Sequence, residues 1–316
     1  MIGLSFVYIL AGLMFAAFAG LSAVDRTNRK RFGNAAFWGL LAISFLAGDR
    51  LGDLGNGVLV MGLVALAGVG ALGRGEPVTT SIEGRRAEAT RRGNKLFIPA
   101  LIIPLTALAG TLLLADIGIG GAPLIDPKQL TLVSLGFGVL IALAAAMAWL
   151  RPPLLAPLQE GRRLIDSVGW AAVLPQMLAA LGAVFALAGV GAVVGDLVGG
   201  VIPDGSRLAA VAAYTVGMAL FTMVMGNAFA AFPVMTAAVG LPLVVRQFGG
   251  DPAIVAAIGM LAGFCGTLMT PMAANFNIVP AALLDLKDRN GVIKAQIGTA
   301  LPLLVANTLL MYWLAF

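Results

Sequence analysis

The chain has 316 residues, of which 60% belong to the set AVILMFWYC and only 11% are charged, against roughly 25% charged in an ordinary soluble domain; this excludes a soluble fold and makes the bilayer interior its solvent. A formal charge of +5 does not point to nucleic acid, because the Lys and Arg residues fall in short inter-helix loops, where they meet lipid headgroups. One cysteine, Cys265, and no histidine exclude an internal disulfide, the common zinc and haem ligand sets, and Ser-His or Cys-His nucleophile pairs.

In chain order, hydropathy predicts spans near 2–24, 35–49, 54–73, 96–115, 129–150 and 167–199. Apolar blocks follow at 208–246 and 253–286, and a last span at 296–316. No basic segment precedes the first span and DRTNRKR follows it, which describes an uncleaved helix with its amino end outside. Asp49, Arg50 and Asp53 fall at an outer turn, where a solvated ion pair is expected. In the basic loop 74–95, the spacing Thr80-x-x-Glu83 predicts a capping box opening a short interfacial helix. Gln176 lies on the span before the first long block and could face a cavity or bond a neighbouring helix. Asp196 and Asp285 lie near span ends, within reach of headgroups, although a buried Asp196 would be a candidate for proton coupling.

The two long blocks do not fit simple helices. Residues 253–286 would run about 51 Å as one straight helix through a hydrocarbon layer of about 30 Å, so a broken helix is expected. Residues 208–246 are long for one crossing, and their middle carries no charge to sit in water, so a re-entrant helical hairpin is expected. With this block returning to its side of entry, the loops at 25–34, 74–95, 151–163 and 287–295 face inward with 4, 6, 3 and 3 Lys or Arg, 16 of the 20, as the positive-inside rule requires. The count is the same for a re-entrant hairpin and for two full spans.

Both blocks carry helix-breaking and polar residues. TMVMGNAFAAFPVMTA, residues 222–237, places Gly226, Asn227, Pro233 and Thr236 in an apolar run. GFCGTLMTPMAANFNIVP, residues 263–280, adds Gly266, Thr267, Thr270, Pro271, Asn275 and Asn277. Non-helical backbone at membrane depth is tolerated where protein buries it or a wet site needs it. Neutral oxygens, freed carbonyls and half-helix N-termini suit a small anion and its coupling cation. A Gly/Pro kink with Asn227 bonded to a neighbouring helix is the plainer alternative.

At these breaks the chain resembles the ion-transporter superfamily, the elevator-type dicarboxylate/sodium symporters. A re-entrant hairpin with a Ser-Asn-Thr tip and a broken helix with a Gly-Thr-x-x-Thr loop recur there. Here the tip reads Gly226, Asn227, Ala228, without either hydroxyl, and the loop reads Gly266, Thr267, Leu268, Met269, Thr270. Residues 164–286 more closely resemble the larger subunit of two-subunit bacterial 5-oxoproline (pyroglutamate) transporters. The resemblance implies an all-α polytopic inner-membrane protein of about seven to eight spans plus hairpin and broken helix. Residues 1–163 would form a scaffold and 164–316 a transport region. The substrate, a small carboxylate, and a coupling ion, Na⁺ or H⁺, would be held by Gly226, Asn227, Gly266, Thr267, Thr270 and Asn275. Gln176, Thr236 and Asn277 are additional candidates, and Na⁺ would lie near Gly226, Asn227 and Thr267. A complete site in that superfamily uses two such sets, whereas this chain shows one, so a smaller membrane subunit is expected to supply the other. No cofactor is expected. The rival readings are a non-transporting scaffold subunit and, with no nucleophile-base pair to support it, an intramembrane enzyme.

Overall fold

Long apolar runs satisfy their backbone polar groups in lipid as helices, and the computed structural model is helical. It describes residues 2–77, 79–114, 118–119, 122–200 and 205–316. Among these, eight helical segments are long and apolar enough to cross a membrane: Leu4–Val24, Arg31–Gly68, Glu83–Leu113, Leu130–Leu150, Ala156–Phe185, Arg207–Met225, Ala228–Gln247 and Gly291–Leu314. The strands among the described residues are one two-residue antiparallel pair, Gly118–Ile119 with Ala122–Pro123. The chain divides into two compact units, Met1–Asp166 and Ser167–Phe316.

In the first unit, α1 (Leu4–Val24) packs along α2 (Arg31–Gly68), with Phe15 stacked on Trp38 and on Phe45. Helix α2 is not one rod. Gly52 has φ 63° and ψ −176°, a conformation open to glycine and strained for other residues, and the chain folds back there. A Cβ on Gly62 would stand 3.3 Å from Leu40 Cδ1, and Gly33 lies against the Ala71 carbonyl; in a straight helix residues 40 and 62 would be about 33 Å apart. The spans expected at 35–49 and 54–73 are therefore two arms of one helical hairpin. Asp49, Arg50 and Asp53 flank its turn, exposed. The ion pair expected of them does not form among the described residues; Asn56 Nδ2 closes the turn instead, donating to the carbonyls of Gly48 and Gly52 at 2.9 Å.

The open end of this hairpin is tied by polar groups. Asn34 exchanges two 2.8 Å hydrogen bonds with the backbone of Gly73. Asp166 Oδ1, from α6 (Ala156–Val168), accepts from Asn34 Nδ2 at 2.9 Å and from Trp38 Nε1 at 2.8 Å. One turn away on α6, Arg162 Nη1 pairs with Asp25 Oδ2 at 2.8 Å. Burial is the largest single influence on the Asp25 carboxyl and pushes its pKa up, but hydrogen bonds from Thr27 and Arg162, with the guanidinium charge, together hold it below the usual carboxylate range.

The basic loop forms α3 (Ile82–Arg92), capped one residue later than the sequence spacing predicted. Ser81, in extended backbone, accepts from Gly84 N–H at 3.1 Å, so Ser81 takes the cap from Thr80 and leaves Glu83 at the second helical position. Helices α4 (Phe97–Leu113) and α5 (Leu130–Leu150) pack side by side.

In the second unit, the span expected at 167–199 breaks after Leu187 into α7 (Leu174–Leu187) and α8 (Val190–Gly199). Leu178, Gly182, Gly191 and Gly195 meet Gly226, Ala230, Val234 and Ala238 in turn, so α7 and α8 run parallel to the second arm of the next hairpin. That hairpin is α9 (Arg207–Met225), a turn at Gly226 and Asn227, then α10 (Ala228–Met235), which continues as a π-helix over Thr236–Gln247. Helix α11 (Pro252–Leu268) follows, with Asp251 Oδ1 capping the N–H groups of Ala253 and Ile254 at 2.8 and 3.1 Å. Residues 269–277 are non-helical. The helix resumes as α12 (Ile278–Leu283), and α13 (Gly291–Leu314) returns alongside α11, where Asp251 N–H donates to Ala315 O at 2.8 Å. Tyr214, Met218, Met225, Met235, Val239 and Met311 are fully buried at the centre of this unit.

Candidate functional site

The hairpin turn and the broken helix meet in the second unit. Gly226 has φ +69° and is buried. A Cβ there would stand 2.6 Å from the Met272 carbonyl oxygen and 2.7 Å from Leu178 Cδ1, so both the left-handed turn and the close approach require glycine. Thr270 Oγ1 fastens the break to the hairpin by donating to Met223 O at 2.8 Å.

The backbones can approach because α11 turns glycines toward α9. Gly259 lies against Tyr214, and Gly266 against the Ala219 carbonyl; a Cβ on Gly263 would be 2.9 Å from Met218 Cε. Cys265, on the same helix, is buried and accepts from Asn307 Nδ2 at 3.6 Å, which suits a small packing residue.

The other predicted residues divide. Asn227, half-buried, caps α10 with its side-chain oxygen, accepting from Phe229 N–H at 2.9 Å. Thr267 is buried, and its hydroxyl donates to Phe264 O at 2.6 Å. Asn277, fully buried, holds the break together: its Nδ2 donates to Thr267 O at 2.8 Å and to Thr270 O at 2.6 Å. Asn275 is exposed beside Met272 and Phe276. Gln176 is also exposed, two residues before Leu178. Thr236 lies on the π-helix, nine residues beyond Asn227, and bonds Tyr214 Oη at 2.9 Å. The structure thus brings Gly226, Asn227, Gly266, Thr267, Thr270 and Asn277 to one crossing and leaves Thr236 outside it.

Two buried oxygens near the crossing have no partner among the described residues, Thr222 Oγ1 and Asn277 Oδ1. Thr222 escaped the sequence reading, although it sits one helical turn before Gly226 and its carbonyl accepts the Gly226 N–H at 2.7 Å. Met272 and Leu178 escaped it too, because a backbone carbonyl and an apolar contact leave no compositional mark. The crossing offers neutral acceptors, a half-helix N-terminus at Asn227 and a turn that no side chain can enter. Those groups suit reversible binding of a small ion; among the described residues no nucleophile and base are paired there.

Fold and site together define a polytopic, all-helical membrane protein with a helical hairpin docked on a broken helix. The chain belongs to the family described as protein of unknown function DUF979, whose family model matches residues 5–316. No curated protein and no solved structure matches it.

Proposed function

We propose that this chain is a subunit of a secondary active transporter that imports a small carboxylate, 5-oxoproline in the first instance, across the bacterial cytoplasmic membrane. The observation that carries the reading is the docking of two interrupted segments at Gly226 and Met272, with Thr222 Oγ1 and Asn277 Oδ1 buried and unpartnered nearby. The N-terminus of α10 and the Asn227 amide face the substrate carboxylate, while the oxygens of the break, with Thr267 and Thr270, favour the coupling cation. The hairpin is re-entrant: its turn carries no charge and is packed on protein, whereas a hairpin that crosses fully would turn in water. Transport needs no covalent step, so the chain is not an enzyme.

The second unit moves as an elevator-type body, because glycine contacts lock α9 to α11. A smaller membrane subunit of the same superfamily completes the site. The exposed amide of Asn275, in a break that also exposes Met272 and Phe276, supports such a cover, since a polar group at membrane depth needs a partner. The amino terminus lies outside, which leaves the four basic loops inside.

The test is uptake of labelled 5-oxoproline into proteoliposomes holding this chain with its candidate partner, under Na⁺ or H⁺ gradients. Uptake is expected with both subunits, and loss of uptake with intact assembly is expected for Asn227→Ala. Unchanged uptake in that variant removes Asn227 from the site. Site variants that disturb assembly alone would favour a scaffold subunit instead.

A further inference from the structure

A third enclosed oxygen of the second unit has no partner among the described residues, Gln296 Oε1 on α13. The buried residues of α13 are Ile293, Ala300, Leu304, Asn307 and Met311, one stripe at helical spacing. Gln296, half-buried, fills the gap in that stripe, three residues after Ile293 and four before Ala300. Its neighbours Ala295 and Ile297 are exposed. A leucine would suit the position in a membrane helix, whereas a carboxamide enclosed there is costly unless something bonds it.

Helix α13 packs on both halves of the broken helix, α11 and α12, and its register shows which part of it meets the gap between them. The pair α11 and α13 is antiparallel: Asp251 N–H, at the start of α11, donates to Ala315 O at 2.8 Å, and Leu304 clusters with Ala262 and Cys265. Gln296 lies eight residues from Leu304, about 12 Å along α13. The same distance along α11 from Ala262 or Cys265 passes its last residue, Leu268, by about 3 to 8 Å. Gln296 therefore stands level with residues 269–277, the non-helical break whose Met272 carbonyl lies against Gly226.

A carboxamide carries an acceptor and a donor side by side in one plane. A lactam ring locks its own amide cis, so its N–H and C=O also lie side by side on one edge. Two such edges close a pair of hydrogen bonds: Oε1 accepts the ring N–H while Nε2 donates to the ring oxygen. A carboxylate without the ring N–H leaves Oε1 as unpaired as it stands. We propose that Gln296 is a further substrate-binding residue, which reads the lactam edge of 5-oxoproline while the N-terminus of α10 holds the carboxylate. The proposal rests on the transport reading and assigns the choice of a lactam over other small carboxylates to one side chain.

The test uses the two-subunit complex with 5-oxoproline and with the lactone in which oxygen replaces the ring N–H. Binding is read as the ligand-induced rise in thermal midpoint over a concentration series, and uptake is measured in proteoliposomes. The wild type is expected to bind 5-oxoproline about 10- to 100-fold more tightly than the lactone, and in Gln296→Leu the preference is expected to fall to near one. The midpoint of the unliganded variant is expected not to fall, because leucine replaces an enclosed oxygen that has no partner. An unchanged preference in Gln296→Leu, or a lowered midpoint with both ligands weakened alike, overturns the assignment; wild-type uptake of 5-oxoproline then leaves the transport reading standing. Uptake of other small carboxylates with no binding of either ring ligand overturns the lactam assignment alone. A preference that depends on Gln296, without uptake, overturns the transport reading and leaves the binding residue standing.

Discussion

Asn277 suspends two carbonyls, those of Thr267 and Thr270, from one side-chain amide. A nine-residue gap in a helix strips the donors from its last turn, and in apolar surroundings each orphaned acceptor is expensive. Asn277→Ala should lower the stability of the purified protein by about 2 kcal/mol, read as a fall in its thermal midpoint. Asn277→Asp should do worse, since a carboxylate would face two carbonyl oxygens. Asn275→Ala is expected to leave the midpoint unchanged, because that side chain is exposed. The contrast separates two asparagines that the sequence offers as near neighbours. Both stand in an apolar block, and only the path of the chain through the break decides which is enclosed.

Elements in this molecule are held at their ends by polar contacts and along their lengths by small residues. In the first unit the hairpin base is anchored to α6 by Asp25 with Arg162 and by Asp166 with Asn34 and Trp38. Arg162 and Asp25 have side chains only 3% and 7% exposed. Removing the cation strands a buried carboxylate, so Arg162→Ala should cost about 3–5 kcal/mol at neutral pH. The pH dependence follows from the lowered Asp25 pKa. A carboxylate whose folded pKa lies below its unfolded value of about 4 contributes fully above that value and loses its contribution as pH falls through the folded one. In Arg162→Ala the Thr27 hydrogen bonds alone oppose burial, so the Asp25 pKa moves up toward its unfolded value and the loss of stability on acidification is expected to shrink. Thermal midpoints of both proteins from pH 3 to 8 check this; parallel curves would remove the Arg162 effect.

The whole molecule is governed by the bilayer, and its orientation is open to direct measurement. The proposed topology places 16 of 20 basic residues inside and the ends of the second hairpin outside. Single cysteines introduced on a Cys265→Ala background at the exposed positions 50, 128 and 247 should react with a membrane-impermeant maleimide in whole cells, and those at 29, 86 and 289 only after permeabilisation. The reverse pattern would invert the topology and with it the assigned outer mouth of the hairpin.

Much of this architecture is legible in composition. An apolar, histidine-free chain with basic loops must form membrane helices, and its interruptions at 226–227 and 266–277 are visible because Gly, Pro and Asn disrupt helices locally, whatever surrounds them. The outer turn around Asp49, Arg50 and Asp53 was equally visible. Contacts between distant residues were not. That α7 and α8 part after Leu187, that Ser81 takes the cap from Thr80, and that Asn277 is enclosed while Asn275 is exposed all depend on which surface each segment meets. The seat of α8 is the sharpest case: its position in the chain marks a span end, but Gly191 and Gly195 let its backbone settle on the carbonyls of Val234 and Ala238. Sequence by itself determined the solvent, the helices and the places where they must break, since these follow from transfer free energy and backbone chemistry residue by residue. Only the tertiary structure decided which polar groups face one another, because rotation about a helix axis and register between helices are set by packing.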